Sequence, residues 1–189
     1  MPVFWNYKEN NIVYAFDDVF VPADAFRQGT LWIWGKNNFG QLGINDTNMR
    51  CTPVQTSTGG TDWKQVSCGG YTTAAIKTDG TLWVWGRNEY GQLGTNDKTR
   101  KCTPVTTFAG GTNWKQVSCP ARGENTAAIK TDGTLWIWGS NQNGQLGINS
   151  AGSVTHRCTP VQEFNGATNW KQVSAGYNYT AAIQSTDIL

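Results

Sequence analysis

The sequence predicts an all-β fold assembled from repeated four-stranded units, and three observations carry the prediction. Whole phrases return: GTLWIWG from Gly29 and Gly133 with GTLWVWG from Gly80, GQLG from Gly40, Gly91 and Gly144, CTPV from Cys51, Cys102 and Cys158, and WKQVS from Trp63, Trp114 and Trp170. A period of about 50 residues marks units that stack and bury their apolar faces against one another. Glycine-bearing turns separate these phrases. A content of 22 glycines with only 15% charged residues suits many short strands better than helices.

Each unit divides into four segments. WKQVSC alternates with the period of two that a strand requires. TAAIKTD follows across a short turn, and Asp79-Gly80 and Asp132-Gly133 are strong two-residue hairpin signals. They lead into TLWIWG, in which Trp32 and Trp34 face one way and Leu31 and Ile33 the other. A strand apolar on both faces must be covered on both. GxNxxGQLG turns the chain, and TPV supplies an outer strand, where proline has no ladder bond to lose. The spacing grows by two residues within 120–124 and by three within 150–155, both in turns. A four-stranded unit of this length with two apolar faces is a propeller blade.

WGxNxxGQLG, a proline-valine strand and VSCGxxxTAAIKTDG together resemble the RCC1 repeat, over roughly 29–187. The resemblance implies a β-propeller with blades of four antiparallel strands. Here there are about three repeats, starting near residues 29, 80 and 133, against seven blades in the founding member. The expected organisation is a non-repeating arm or cap at 1–28 and a repeat domain at 29–189. The chain enters the repeat at TLWIWG and leaves it at TAAIQSTD. The first unit therefore holds only two outer strands and the last only two inner ones. Three blades are too few to close on an axis, and open ends would expose apolar faces and strand edges. The expectation is closure or capping by oligomerisation. The inner pair within 170–186 of one subunit would join the outer pair within 30–54 of another, giving six blades from two chains.

Residues 3–7 and 12–16 read as strands about a Lys-Glu-Asn-Asn turn, and Val19–Val21 could supply the inner strand missing before TLWIWG. Phe4, Trp5, Tyr7, Tyr14, Phe16 and Phe20 form a candidate interface. They either cap the first blade or dock the module onto a larger assembly. The start shows no basic region followed by an apolar one, so no classical secretion signal is expected. No apolar run approaches the roughly 20 residues of a membrane helix, so membrane insertion is not expected.

Little in the sequence speaks for chemistry. Five cysteines follow the repeat, as free, mostly buried thiols would, and no CxxC pair accompanies the one histidine, His156, to hold zinc. A Ser-His-Asp site and a phosphate loop find no support, and no cofactor is expected. Asn45-Asp46 and Asn96-Asp97 are turn formers, short of the ligands calcium needs. Trp83 and Trp85 could stack on sugars but fit blade packing better. Arg50, Lys101 and Arg157 precede or open each CTPV strand and form a candidate basic rim, or else solvated turns. The net charge of +2 gives no sign of nucleic-acid binding.

The near-identical repeats point to a non-catalytic structural or adhesive module rather than an enzyme. FDDVFVPADAFRQ with short Asn- and Gly-rich repeats resembles virion-associated proteins of bacteriophages. That resemblance implies a tail, fibre or capsid-decorating component, assembled in the host cytoplasm and located in the virion. Its partners would be further copies of itself, other virion proteins and a host-surface glycan. A propeller lectin is the alternative. Nucleotide exchange on a small GTPase is a weaker one, since the chain lacks the blades and inserted hairpin that the founding member uses.

Overall fold

The computed structural model describes residues 29–186 and, before them, only the backbone of three strands. These are β1 (Val3–Asn6), β2 (Asn11–Phe16) and β3 (Val19–Val21), an antiparallel sheet in the order β1-β2-β3. The expectation that Val19–Val21 stands beside TLWIWG is not met: it is the edge strand of the β1-β2-β3 sheet, Tyr14 facing Val21, and that sheet does not include the TLWIWG strand. Only two residues separate Phe16 from Val19, and so short a link returns a strand onto its neighbour. The candidate side chains of Phe4, Trp5, Tyr7, Tyr14, Phe16 and Phe20 lie outside the described residues.

The repeat region is two whole blades between two half-blades, as the sequence predicts. The first half-blade is β4 (Trp32–Gly35) with β5 (Arg50–Gln55). The first whole blade runs β6 (Trp63–Cys68), β7 (Thr72–Lys77), β8 (Leu82–Gly86) and β9 (Lys101–Thr106). The second runs β10 (Trp114–Ser118), β11 (Asn125–Lys130), β12 (Leu135–Gly139) and β13 (Arg157–Gln162). The last half-blade is β14 (Trp170–Ala175) with β15 (Thr180–Gln184). Every pairing is antiparallel and between neighbours in sequence. Pro53, Pro104 and Pro160 fall on the outer strands β5, β9 and β13, each paired on one side only.

The Asp-Gly hairpins differ from the two-residue form expected. Gly80 N–H donates to Lys77 C=O at 3.0 Å, Lys77 N–H to Thr81 C=O at 3.0 Å, and only Gly80 of the turn has a positive φ, +80°. That is a three-residue loop closed by a glycine bulge. Asp79 Oδ1 accepts from the Thr81 amide at 2.9 Å and hydroxyl at 2.7 Å, which steadies it.

The core lies between blades. Leu31, Ile33 and Leu42 of the first half-blade pack on Trp63, Ala75 and Trp85 of the next blade, and the pattern recurs at each later interface. Trp63 meets Trp83 and Trp85 edge-on, with ring centres 6.2 Å apart, and Trp114 meets Trp136 and Trp138 likewise. Lys77 and Lys130 lie over these rings at 4.4–5.0 Å. Trp83 and Trp85 therefore serve packing, Trp85 being wholly buried.

The cysteines depart from expectation. All five are free, but only Cys119 is buried, and burial pushes its thiol up to about 12. Cys102 and Cys158 are half-covered, while Cys51 and Cys68 are exposed. Among the described residues no blade stands in front of Cys51, and Cys68 follows a half-blade that lacks its inner strands.

Candidate interaction face

The loops that join the two outer strands of each blade gather on one face, and one asparagine organises each. Asn88 is fully buried; its Nδ2 donates to Asp97 C=O at 2.9 Å and Thr99 C=O at 3.2 Å, and its Oδ1 accepts from Leu93 N–H at 2.9 Å. Asn37 repeats the pattern with Asp46, Asn48 and Leu42. Asn141 does so with Ser150 and Leu146. One side chain thus satisfies backbone groups that a turn would otherwise leave unpaired. Asn45, Asn96 and Asn149 take the left-handed turn position, with φ of 65°, 61° and 56°. Asp46 and Asp97 accept from backbone amides two residues on, the turn-forming role expected of them.

The same loops bind the next blade. Gln41 C=O accepts from Trp85 Nε1 and Thr73 Oγ1, both at 2.8 Å. Gln92 C=O accepts from Trp138 Nε1 at 2.9 Å and Thr126 Oγ1 at 2.8 Å. Gln145 C=O accepts from Thr180 Oγ1 at 2.8 Å.

The candidate basic residues occupy equivalent places, facing Gly35, Gly86 and Gly139 across the ladder. All three are engaged locally. Arg50 pairs with Asp46 at 2.6 Å and Lys101 with Asp97 at 2.8 Å. In the third loop Ser150 stands where those aspartates stand, and Arg157 donates to Thr155 C=O at 3.1 Å.

Residues that break the repeat also meet on this face. Arg87 stands where the other units have Lys36 and Ser140, and Glu124 where they have Tyr71 and Asn178. Arg87 reaches into the neighbouring blade, pairing with Glu124 at 2.9 Å, and it also pairs with Glu89. Its guanidinium sits 5.3–5.7 Å from the ring centres of Phe39, Tyr71 and Tyr90. The Arg87 hydrogen bond holds the Glu89 carboxyl below the usual carboxylate range. Burial pushes Glu124 the other way, against the pull of Arg87. Beside this cluster opens a polar depression of about 630 Å³, lined in part by Tyr71, Arg87, Glu124, Gln142, Asn143 and Tyr177. His156 rests edge-on against Tyr90, and its Nδ1 accepts from Asn141 N–H at 2.9 Å. Sequence reasoning did not find the Arg87 cluster. The available signal was that Lys36, Arg87 and Ser140, and likewise Tyr71, Glu124 and Asn178, differ at equivalent places flanked by repeated residues.

Comparison with known proteins matches this architecture. The family profile of the Regulator of chromosome condensation (RCC1) repeat matches residues 28–76, 79–122 and 132–183, and a second RCC1 repeat profile matches 63–92 and 114–145. The Ultraviolet-B receptor UVR8 of Arabidopsis thaliana is 35% identical over 164 residues, covering 85% of this chain and 36% of the receptor. The probable E3 ubiquitin-protein ligase HERC4 of Mus musculus is 35% identical over 144 residues, covering 75% of this chain but 13% of the ligase. The chain thus spans about a third or less of these relatives. Among solved structures, human WBSCR16 superposes with a TM-score of 0.68 at 22% identity, over 93% of this chain and 42% of that one. Prp20p from Saccharomyces cerevisiae does so with a TM-score of 0.70 at 18% identity, over 94% and 43%. At such identities these two superpositions establish the fold alone.

Proposed function

We propose that the chain, which belongs to the RCC1 repeat family, is a non-catalytic structural and interaction module of a larger assembly, and that this assembly is a bacteriophage virion. One observation carries the module reading. Arg87, Glu124, Tyr71 and Tyr177, which stand at positions that differ between the units, meet around one polar depression on the loop face, over a repeated strand scaffold. Exposed loops on a rigid frame are where a repeat protein places recognition. The non-catalytic reading is supported by His156, whose Nδ1 is occupied by the Asn141 amide. The names of UVR8 and HERC4 describe those longer proteins, and their activities are not carried over.

The virion placement, as a tail, fibre or capsid-decorating protein that helps assembly or host attachment, rests on the FDDVFVPADAFRQ segment beside Asn- and Gly-rich repeats. Quantitative mass spectrometry of purified particles tests it. The protein should be present at a fixed copy number per particle. Its absence from intact particles would remove the virion and leave the module. The lectin reading is favoured by one feature, the polar depression flanked by Tyr71 and Tyr177. A glycan array checks it, with binding lost in Tyr177→Ala if the reading holds and no signal above background if it does not.

A further inference from the structure

We propose that two copies of this chain close one ring by completing each other's half-blades, β15 of each copy pairing with β4 of the other. The contacts that join successive blades form a strict series, and the series stops at both ends with matching halves.

Along the inner strands, Gln65 brackets the next blade, donating to Val117 C=O at 3.1 Å and accepting from Val117 N–H at 3.2 Å. Gln116 brackets Val173 in the same way. Ser67 Oγ accepts from Cys119 N–H at 2.9 Å, and Ser118 Oγ from Ala175 N–H at 3.0 Å. The next members would be Gln172 and Ser174, and both are exposed. The groups they would meet are Val66 and Cys68 at the opposite end. Val66 is 45% exposed, against 2% and 3% for Val117 and Val173.

The loops tell the same story. Asn45 N–H donates to Cys102 C=O and Asn96 N–H to Cys158 C=O, both at 2.8 Å. A Cβ at Gly43 or Gly94 would fall 2.9 or 2.8 Å from the indole Nε1 of Trp85 or Trp138, so these glycines leave room for the ring. Gly147 has the same backbone, φ +62°, and faces open space. The indole that fits there is Trp34, which is 59% exposed while Trp85 and Trp138 are fully buried. Trp34 Nε1 would reach Gln145 C=O, and Cys51 C=O would accept from Asn149 N–H. By the register of the whole blade, Thr180 faces Trp34, Ala181 faces Ile33 and Ala182 faces Trp32, as Thr73, Ala74 and Ala75 face Trp85, Val84 and Trp83.

A second copy is the fitting occupant because the half-blades at the two edges of residues 29–186 are complements of one another, β4-β5 the outer pair and β14-β15 the inner pair of a blade. Propellers close with about 4–8 blades, so chains that contribute three blades each close as a pair. Head-to-tail contacts of this kind give a ring when the rotation closes and a filament when it does not. The inference is independent of the virion.

Light scattering on the 189-residue chain should give twice its mass of 20.8 kDa at micromolar concentration. Ser174→Cys should form a disulfide with Cys68 of the other copy under mild oxidation. A band of twice the chain mass should then appear on a non-reducing gel, absent when Cys68→Ser is added. Gly147→Ala should halve the solution mass with the circular dichroism unchanged. A wild-type monomer, as would result if residues 1–28 or further repeats of a longer chain cover the half-blades, overturns the proposal. So does a dimer that Gly147→Ala leaves intact and Cys68 does not trap, or a ladder of higher multiples.

Discussion

Replacing Gly94 by alanine separates packing between blades from the strain of the turn itself. Gly94 and Gly110 lie in the same repeat with φ of +65° and +56°. A methyl group in that region costs about 1–2 kcal/mol, of which about 0.4–1 is returned by a less flexible unfolded chain. Gly110→Ala meets nothing within 4 Å and should cost only that remainder. Gly94→Ala places its methyl 2.8 Å from Trp138 Nε1 and 3.1 Å from Pro160 Cδ, neither free to move far. Overpacking of that kind costs about 1–3 kcal/mol, and displacing the indole strains its bond to Gln92 C=O, worth about 1 kcal/mol more. The difference between the two variants should be about 2–4 kcal/mol. At roughly 2–4 °C per kcal/mol for a chain of this size, Gly94→Ala should melt about 4–16 °C below Gly110→Ala. Thermal unfolding followed at the tryptophan band measures it. Equal melting temperatures would mean that the indole does not occupy the space beside Gly94, and the account of the blade interface would be wrong.

Asn88→Ala should cost about 2–4 kcal/mol in urea unfolding, since it strands the buried Leu93 amide and two carbonyls; Asn88→Asp should not rescue it, because the two donated bonds are lost. His156, the one histidine, should titrate below its ordinary value of about 6.5, because burial and the nearby Lys98 disfavour its charged form. The unfolded chain then binds the proton first. This contribution is therefore complete above the ordinary imidazole range and is lost as pH falls from there through the folded value. An imidazole NMR titration with a normal or raised midpoint would contradict the contacts of His156. Arg87→Met should raise the Glu124 midpoint further, readable by carboxyl NMR; an unchanged midpoint would mean that the 2.9 Å pair contributes nothing.

The blades were legible because their determinants are local and repeated. WKQVS alternation, the Asp-Gly turns and the outer-strand prolines each state the same strand order more than once. The half-blades followed from where the repeat is entered and left. The cysteines were misread for a reason of position. Cys102 packs against Gly40 and Cys158 against Gly91, but Cys51, with the same sequence surroundings, has no preceding blade loop to cover it among the described residues. Burial there belongs to the neighbour, not to the phrase CTPV. Val19–Val21 was misplaced because a short apolar run does not say which partner it takes. The Arg87 cluster joins residues from different units, so no local pattern announces it.

The glutamine brackets have a direction. Gln65 grips Val117 and Gln116 grips Val173, never the reverse, so every unit gives on one side and receives on the other. A stretch of any number of such units ends in one giver and one receiver. Gene duplication can therefore add a repeat without inventing a surface, since the newcomer arrives with both halves of the joint. The near-identity of the present units is what that mode of growth leaves behind. Blade number becomes a matter of copying, and only the angle between blades limits how the circle is filled.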